Sequence, residues 1–172
     1  VSKAVNEAER GLLPEVPTIC VGQPCAADPS RAPEGKSVLW LQLPEAPRMV
    51  KGDAAGTIDT PENGEWTEAL REAYADRIED ILANHIRAFK SRIVTRRALS
   101  PADLEGMNMN LVGGDPYGGA CTLEQFFLWR PFSDSKRHGT DIKGLYHIGA
   151  STHPGPGLSG GSGFLIAKEL GA

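Results

Sequence analysis

Residues 144–163 read Gly-Leu-Tyr-His-Ile-Gly-Ala-Ser-Thr-His-Pro-Gly-Pro-Gly-Leu-Ser-Gly-Gly-Ser-Gly, seven glycines in twenty positions. No other stretch limits the fold so strongly. The short apolar run at 145–148 is expected to form a strand that enters a glycine-rich turn, and residues 164–170 are expected to form a helix. Glycine has no Cβ, so main chain in such a turn can approach a ligand closely. The helix aims its unpaired first-turn N–H groups and the positive end of its dipole back at the turn. Together these features make a berth for an anionic or electron-rich group. The bland alternative is a turn that closes an ordinary strand–helix unit.

The remaining residues have ordinary globular composition. The 172 residues are 40% hydrophobic and 23% charged, enough for one domain with a core. The formal charge of −4 gives no basic surface for nucleic acid. No apolar run reaches the length of a membrane span, and no basic amphipathic helix marks a membrane surface. Membrane association is therefore expected to be peripheral at most, and the expected compartment is the cytoplasm. Cys20, Cys25 and Cys121 are odd in number and fit no zinc framework, so they read as reduced structural thiols. The scattered histidines make no ligand spacing, and no metal site is expected. Val1 at the first position reads as a piece or processed product of a longer protein.

Periodicity gives the expected elements. Residues 2–13 read as a helix stopped by Pro14 and Pro17. Residues 17–22 and 37–43 read as strands, the second apolar enough to be central. Residues 65–89 form the longest helical pattern, with Trp66, Leu70, Tyr74, Ile78, Ile81, Leu82, His85, Ile86 and Phe89 on one face. His85 on that face reads as a satisfied buried histidine. Residues 92–99 read as a third strand, and Ser100 and Pro101 start a short helix. The order predicts an α+β fold, a mixed or antiparallel sheet with a long helix across one face.

Two stretches carry a resemblance. One is Asn110-Leu111-Val112-Gly113-Gly114-Asp115-Pro116-Tyr117-Gly118-Gly119, followed by Leu123-Glu124-Gln125-Phe126-Phe127-Leu128-Trp129-Arg130-Pro131. The other is the glycine-rich segment at 144–163. In this order they resemble the C-terminal part of the phytoene-desaturase-like FAD oxidoreductases, within the amine-oxidase-like flavoprotein superfamily. The run Asp28-Pro29-Ser30-Arg31-Ala32-Pro33-Glu34-Gly35-Lys36 and residues 95–105 look like the same family, so the resemblance runs from about Pro17 onward.

The resemblance implies that residues 1–143 are part of a substrate domain. Residues 144–172 are then a strand–turn–helix returning to an FAD-binding domain. The N-terminal Rossmann half of that domain is absent: no Gly-x-Gly-x-x-Gly follows an early strand. The string Gly155-Pro156-Gly157-Leu158-Ser159-Gly160 fits the pattern formally, but no acidic residue follows it.

The implied cofactor is FAD. Its ribityl–pyrophosphate part would lie at Gly149, Ala150 and Ser151, and its ring near Pro156, Gly157, Leu158, Ser159 and Gly160. Many superfamily members carry an acidic residue just after the first of these glycines. Ala150 and Ser151 stand there in this chain, so that contact falls to backbone or hydroxyl groups. His153 is the catalytic candidate, as a positioning or proton-handling group; the favoured reading for it is a loop hydrogen-bonder. His147 reads as structural and Asp115 as a turn-former. Arg130-Pro131 reads as fixing a loop, and residues 126–129 as core or substrate-tunnel wall.

The implied activity is hydride transfer from an apolar, carotenoid-like substrate to flavin. Two alternatives stand beside it: a ketolase-type member, and a non-catalytic piece or subunit that needs a separate nucleotide-binding half. A ligand-free scaffold is a third. Alone, the chain is expected to bind FAD weakly or not at all, and to expose apolar surface that drives homo-oligomerisation.

Overall fold

The computed structural model describes residues 1–126, 129–132, 138–156 and 160–171. They fall into two compact units, Val1–Ala102 and Asp103–Ala172.

In the first unit α1 (Ser2–Glu9) leads into β1 (Leu12–Leu13), β2 (Cys20–Gly22), α2 (Pro24–Ala27), β3 (Trp40–Gln42), β4 (Gly52–Asp53), α3 (Glu68–Ala83) and α4 (Phe89–Arg92). β1 pairs in parallel with β4, Leu12 opposite Gly52. β2 pairs antiparallel with β3, Val21 opposite Leu41. Leu70, Tyr74, Ile78 and Leu82 recur every fourth residue along α3 and close a core with Leu13 and Val50. Thr67 caps α3, its hydroxyl accepting the Leu70 N–H at 3.1 Å. Thr67→Ala should cost about 1 kcal/mol, read as a lowered urea midpoint at unchanged m-value.

Asp53, at the end of β4, is the polar counterpart of this core. Its carboxylate takes two hydrogen bonds from the Arg77 guanidinium, each 2.6 Å, and the Thr57 and Ile58 amides at 2.8 and 3.0 Å. Burial alone would push the Asp53 carboxyl up; Arg77 and the two amides outweigh it and hold the pKa at about 2. Arg77 also donates to the Pro14 carbonyl, as does the Tyr74 hydroxyl. One fork thus ties α3 to the ends of β1 and β4.

Several expectations are corrected. The long helix stops at Ala83 rather than 89, and His85 is exposed instead of buried. Residues 83–88 are all exposed, so helical hydrogen bonds there gain nothing from packing, and Asn84 and His85 are weak helix formers. Ala88 then takes a left-handed conformation before α4. Strand 37–43 shortens to β3 and is not central: among the described residues it has one partner, and Trp40 is 54% exposed. Residues 93–99 form no strand. Arg96 instead pins that segment to α3 through Glu72, Asp76 and Glu79, at 2.6–2.8 Å. Residues 12–13, read as the end of a helix, form β1. Cys20 and Cys121 are exposed thiols.

The division between the units falls within α5 (Pro101–Met107), which starts at Pro101 as the sequence predicts. The second unit continues with a 3-10 turn at Val112–Gly114, α6 (Leu123–Phe126) and α7 (Gly161–Glu169). Of the strand expected at 145–148 one ladder position forms among the described residues, Tyr146 opposite Gly139. Asp115 is a turn-former, its carboxylate accepting the Tyr117 amide at 2.9 Å. In the 126–129 run read as core or tunnel wall, Phe126 and Trp129 are exposed rather than core, and Phe127 and Leu128 lie outside the described residues.

Candidate functional site

The glycine-rich turn is assembled on one buried cation. Arg130 is 2% exposed, and its guanidinium donates to four main-chain carbonyls: Tyr117 at 2.7 Å, Gly118 at 3.2 Å, Ala120 at 2.9 Å and Ala150 at 2.8 Å. Charged hydrogen bonds of this kind are the strong ones, and the planar five-donor fork is what reaches several acceptors at once. The side chain therefore joins the loop at 117–120 to the turn at 149–151. Gly118 makes the approach close. It has φ +64°, and a Cβ there would lie 3.2 Å from the Ala150 Cβ and 3.4 Å from the Ser151 nitrogen.

The turn is also held from within. Thr152, fully buried, donates through its amide (3.1 Å) and hydroxyl (2.9 Å) to the Gly149 carbonyl. The Gly149 amide donates to the hydroxyl of Ser162, in the first turn of α7, at 3.0 Å. The Gly155 amide donates to the Thr152 carbonyl at 2.7 Å. Ser151 Oγ lies 3.3 Å from His147 Nε2, and His147 is joined to His138 across the hairpin.

What this scaffold presents is bare main chain. Gly149 has φ +119°, and a Cβ built on it would meet no heavy atom of the described residues within 4 Å. The same open space lies at Gly160, the left-handed N-cap of α7. Among the described residues no side chain caps α7, and a helix start leaves its first-turn amides with donor capacity to spare. Below the turn lies the Arg130 cation; at its end lies the helix dipole. Both favour negative charge in front of it.

Of the residues singled out by sequence, the structure brings Gly149, Ala150 and Ser151 together over Arg130. Pro156 and His153 are half-buried in the same turn, and Gly160 opens α7. Gly157, Leu158 and Ser159 lie outside the described residues. His147 is exposed and bonded to Ser151. Sequence reading missed Ser162 and His138. Ser162 stood in plain view inside Gly160-Gly161-Ser162-Gly163, where a hydroxyl among glycines signals an anchor. His138 carried no local signal, because its role depends on the hairpin that pairs it with His147.

Comparison with known proteins agrees with the turn. Over 161 residues, 94% of this chain, the sequence is 30% identical to the mouse (Mus musculus) "pyridine nucleotide-disulfide oxidoreductase domain-containing protein 2" and equally so to that of Rattus norvegicus. Over 160 residues, 90% of this chain, it is 31% identical to the "4,4'-diapophytoene desaturase (4,4'-diaponeurosporene-forming)" of Staphylococcus aureus (strain MRSA252). This chain is a homologue of phytoene-desaturase-like oxidoreductases. The resemblance read from the glycine turn therefore holds along nine-tenths of the sequence. The chain spans about a quarter of these relatives' length, 26% of the rodent proteins and 28% of the desaturase. No family model matches it. Among the described residues no helix is long and apolar enough to cross a membrane, and no three His, Cys, Asp or Glu cluster to hold a metal.

Proposed function

We propose that this chain is the C-terminal portion of an FAD-dependent oxidoreductase that dehydrogenates an apolar, carotenoid-like substrate by hydride transfer to flavin. The observation that carries the reading is the open space beside Gly149 and Gly160, in a turn held by a buried arginine and followed by the start of α7, in a homologue of oxidoreductases. The desaturase among the relatives supplies the substrate class.

The donor set fits the cofactor. Bound flavin would supply the two-electron acceptor and draw negative charge onto its ring as it is reduced. The α7 amides stabilise such charge without reorganising, because the helix fixes their direction. Gly149 brings Ala150 and Ser151 to the ribityl–pyrophosphate portion, to which their amides and the Ser151 hydroxyl are offered; the Gly149 amide and carbonyl are engaged by Ser162 and Thr152. Pro156 and Gly160 are the described residues assigned to the ring. His153, half-buried beside them, is the candidate to hold or move a proton. No protein nucleophile is needed, since the acceptor is the cofactor.

Phe164, 68% exposed, with Leu145 and Ile148 gives the second unit an apolar surface. In this reading a nucleotide-binding half covers it; in its absence a second copy of the chain does. The purified 172-residue chain should accordingly hold FAD only weakly, at about millimolar affinity, because the adenosine contacts and most of the pyrophosphate contacts belong to the other half. Equilibrium dialysis and the flavin absorbance spectrum check this. Tight, stoichiometric yellow protein would show that this chain carries the whole site.

A further inference from the structure

His138 is 2% exposed, and its two ring nitrogens differ. Nδ1 lies 3.3 Å from the His147 carbonyl, while Nε2 is buried without a partner among the described residues. A carbonyl can only accept, so Nδ1 carries the proton and Nε2 keeps a buried lone pair. A fold tolerates an orphaned buried nitrogen where the placement of its ring serves something else.

What the ring places is His147. The His147 amide donates to the His138 carbonyl at 2.8 Å, and the His147 carbonyl takes the His138 ring. His147 is thus gripped at both main-chain groups by one residue. Its own ring then meets the Ser151 hydroxyl at 3.3 Å. Ser151 has one proton and two lone pairs. His147 Nε2 engages one of these, which restrains the rotor and leaves the rest for another partner.

We propose that His138 is a positioning residue that, through His147, aims the Ser151 hydroxyl at the ribityl–phosphate portion of the bound cofactor; this rests on the flavin reading above. No acidic residue stands after Gly149 in this turn, so the aimed hydroxyl is the polar side chain at that position.

The test uses the longer FAD-holding protein that contains this chain, with the FAD dissociation constant as readout. Ser151→Ala should weaken FAD about tenfold, the value of one well-placed hydrogen bond. His138→Gln should weaken it by a similar factor, because its amide stands where Nε2 stood and leaves the His147 carbonyl unheld. His138→Asn should restore affinity to within about twofold, since its side-chain amide coincides with Nδ1. The order matters. If His138 only filled space, glutamine, nearer in volume, would be the milder change. The double variant His138→Gln with Ser151→Ala should bind no worse than Ser151→Ala alone, because both act through one hydroxyl.

Asparagine no better than glutamine, or additive losses in the double variant, would overturn the inference. Failure of the unsubstituted protein to bind FAD would instead overturn the flavin reading itself.

Discussion

Arg130→Ala should loosen the second unit by about 3 kcal/mol or more, the largest effect expected from any single change near the turn. The substitution removes one side chain and strands four carbonyls, those of Tyr117, Gly118, Ala120 and Ala150. Three of these lie on one loop and the fourth on the glycine turn, so the two segments lose their shared anchor. Arg130→Lys should rescue little, because a single ammonium cannot reach acceptors spread from residue 117 to residue 150. Hydrogen exchange reads the effect directly: amides at 117–120 and 149–152 should lose protection together. Retained protection there would show that the loops hold one another without the guanidinium.

The second large effect belongs to the first unit. Asp53→Asn should cost about 3–5 kcal/mol, since it leaves the Arg77 guanidinium without its carboxylate in a buried setting. The Asp53 side chain is only 1% exposed and that of Arg77 12%. The same pair sets an acid limit. A carboxyl held at about 2 in the folded unit, against about 4 when unfolded, contributes roughly 2 kcal/mol of stability. That contribution is full above about pH 4 and falls away as the pH drops toward 2. The gap in urea midpoint between Asp53→Asn and the parent should therefore be narrower at pH 3 than at pH 6. Replacing both partners with apolar residues, Asp53→Leu with Arg77→Met, should cost far less than the single change. If Asp53→Asn left the midpoint unmoved, the fork would be a bystander and the core of Leu13, Val50 and α3 would hold the unit alone.

Much of the site was legible because it is local. Seven glycines in twenty residues announce exposed main chain whatever surrounds them, and the helix expected at 164–170 is present but starts three residues earlier, at Gly161, and ends at Glu169. Asp115 and Pro101 behaved as their turn and helix-start chemistry predicts. The errors lie where non-local contacts decide. His85 falls on the apolar period of residues 65–89, yet periodicity continues past the last turn that has anything to pack against. Residues 93–99 have β-branched content but no strand beside them, and the Arg96 ion pairs to α3 take the place of a ladder. β1 is two residues long and depends on β4, forty residues on; no window of sequence contains both. Arg130 was read as a loop fastener, but which carbonyls it fastens depends on the turn at 150 folding back on the loop at 117. His138 is the extreme case, a residue with no pattern around it whose place in the site exists only once the hairpin has closed.

The account rests on the glycine turn and the start of α7 facing a flavin. An amide-resolved NMR titration of the 172-residue chain with FAD tests that most directly, since weak binding still shifts the amides it touches. Shifts concentrated at Gly149, Ala150, Ser151 and residues 160–163 are the expected result. Shifts absent there, or centred on residues of Val1–Ala102, would contradict it.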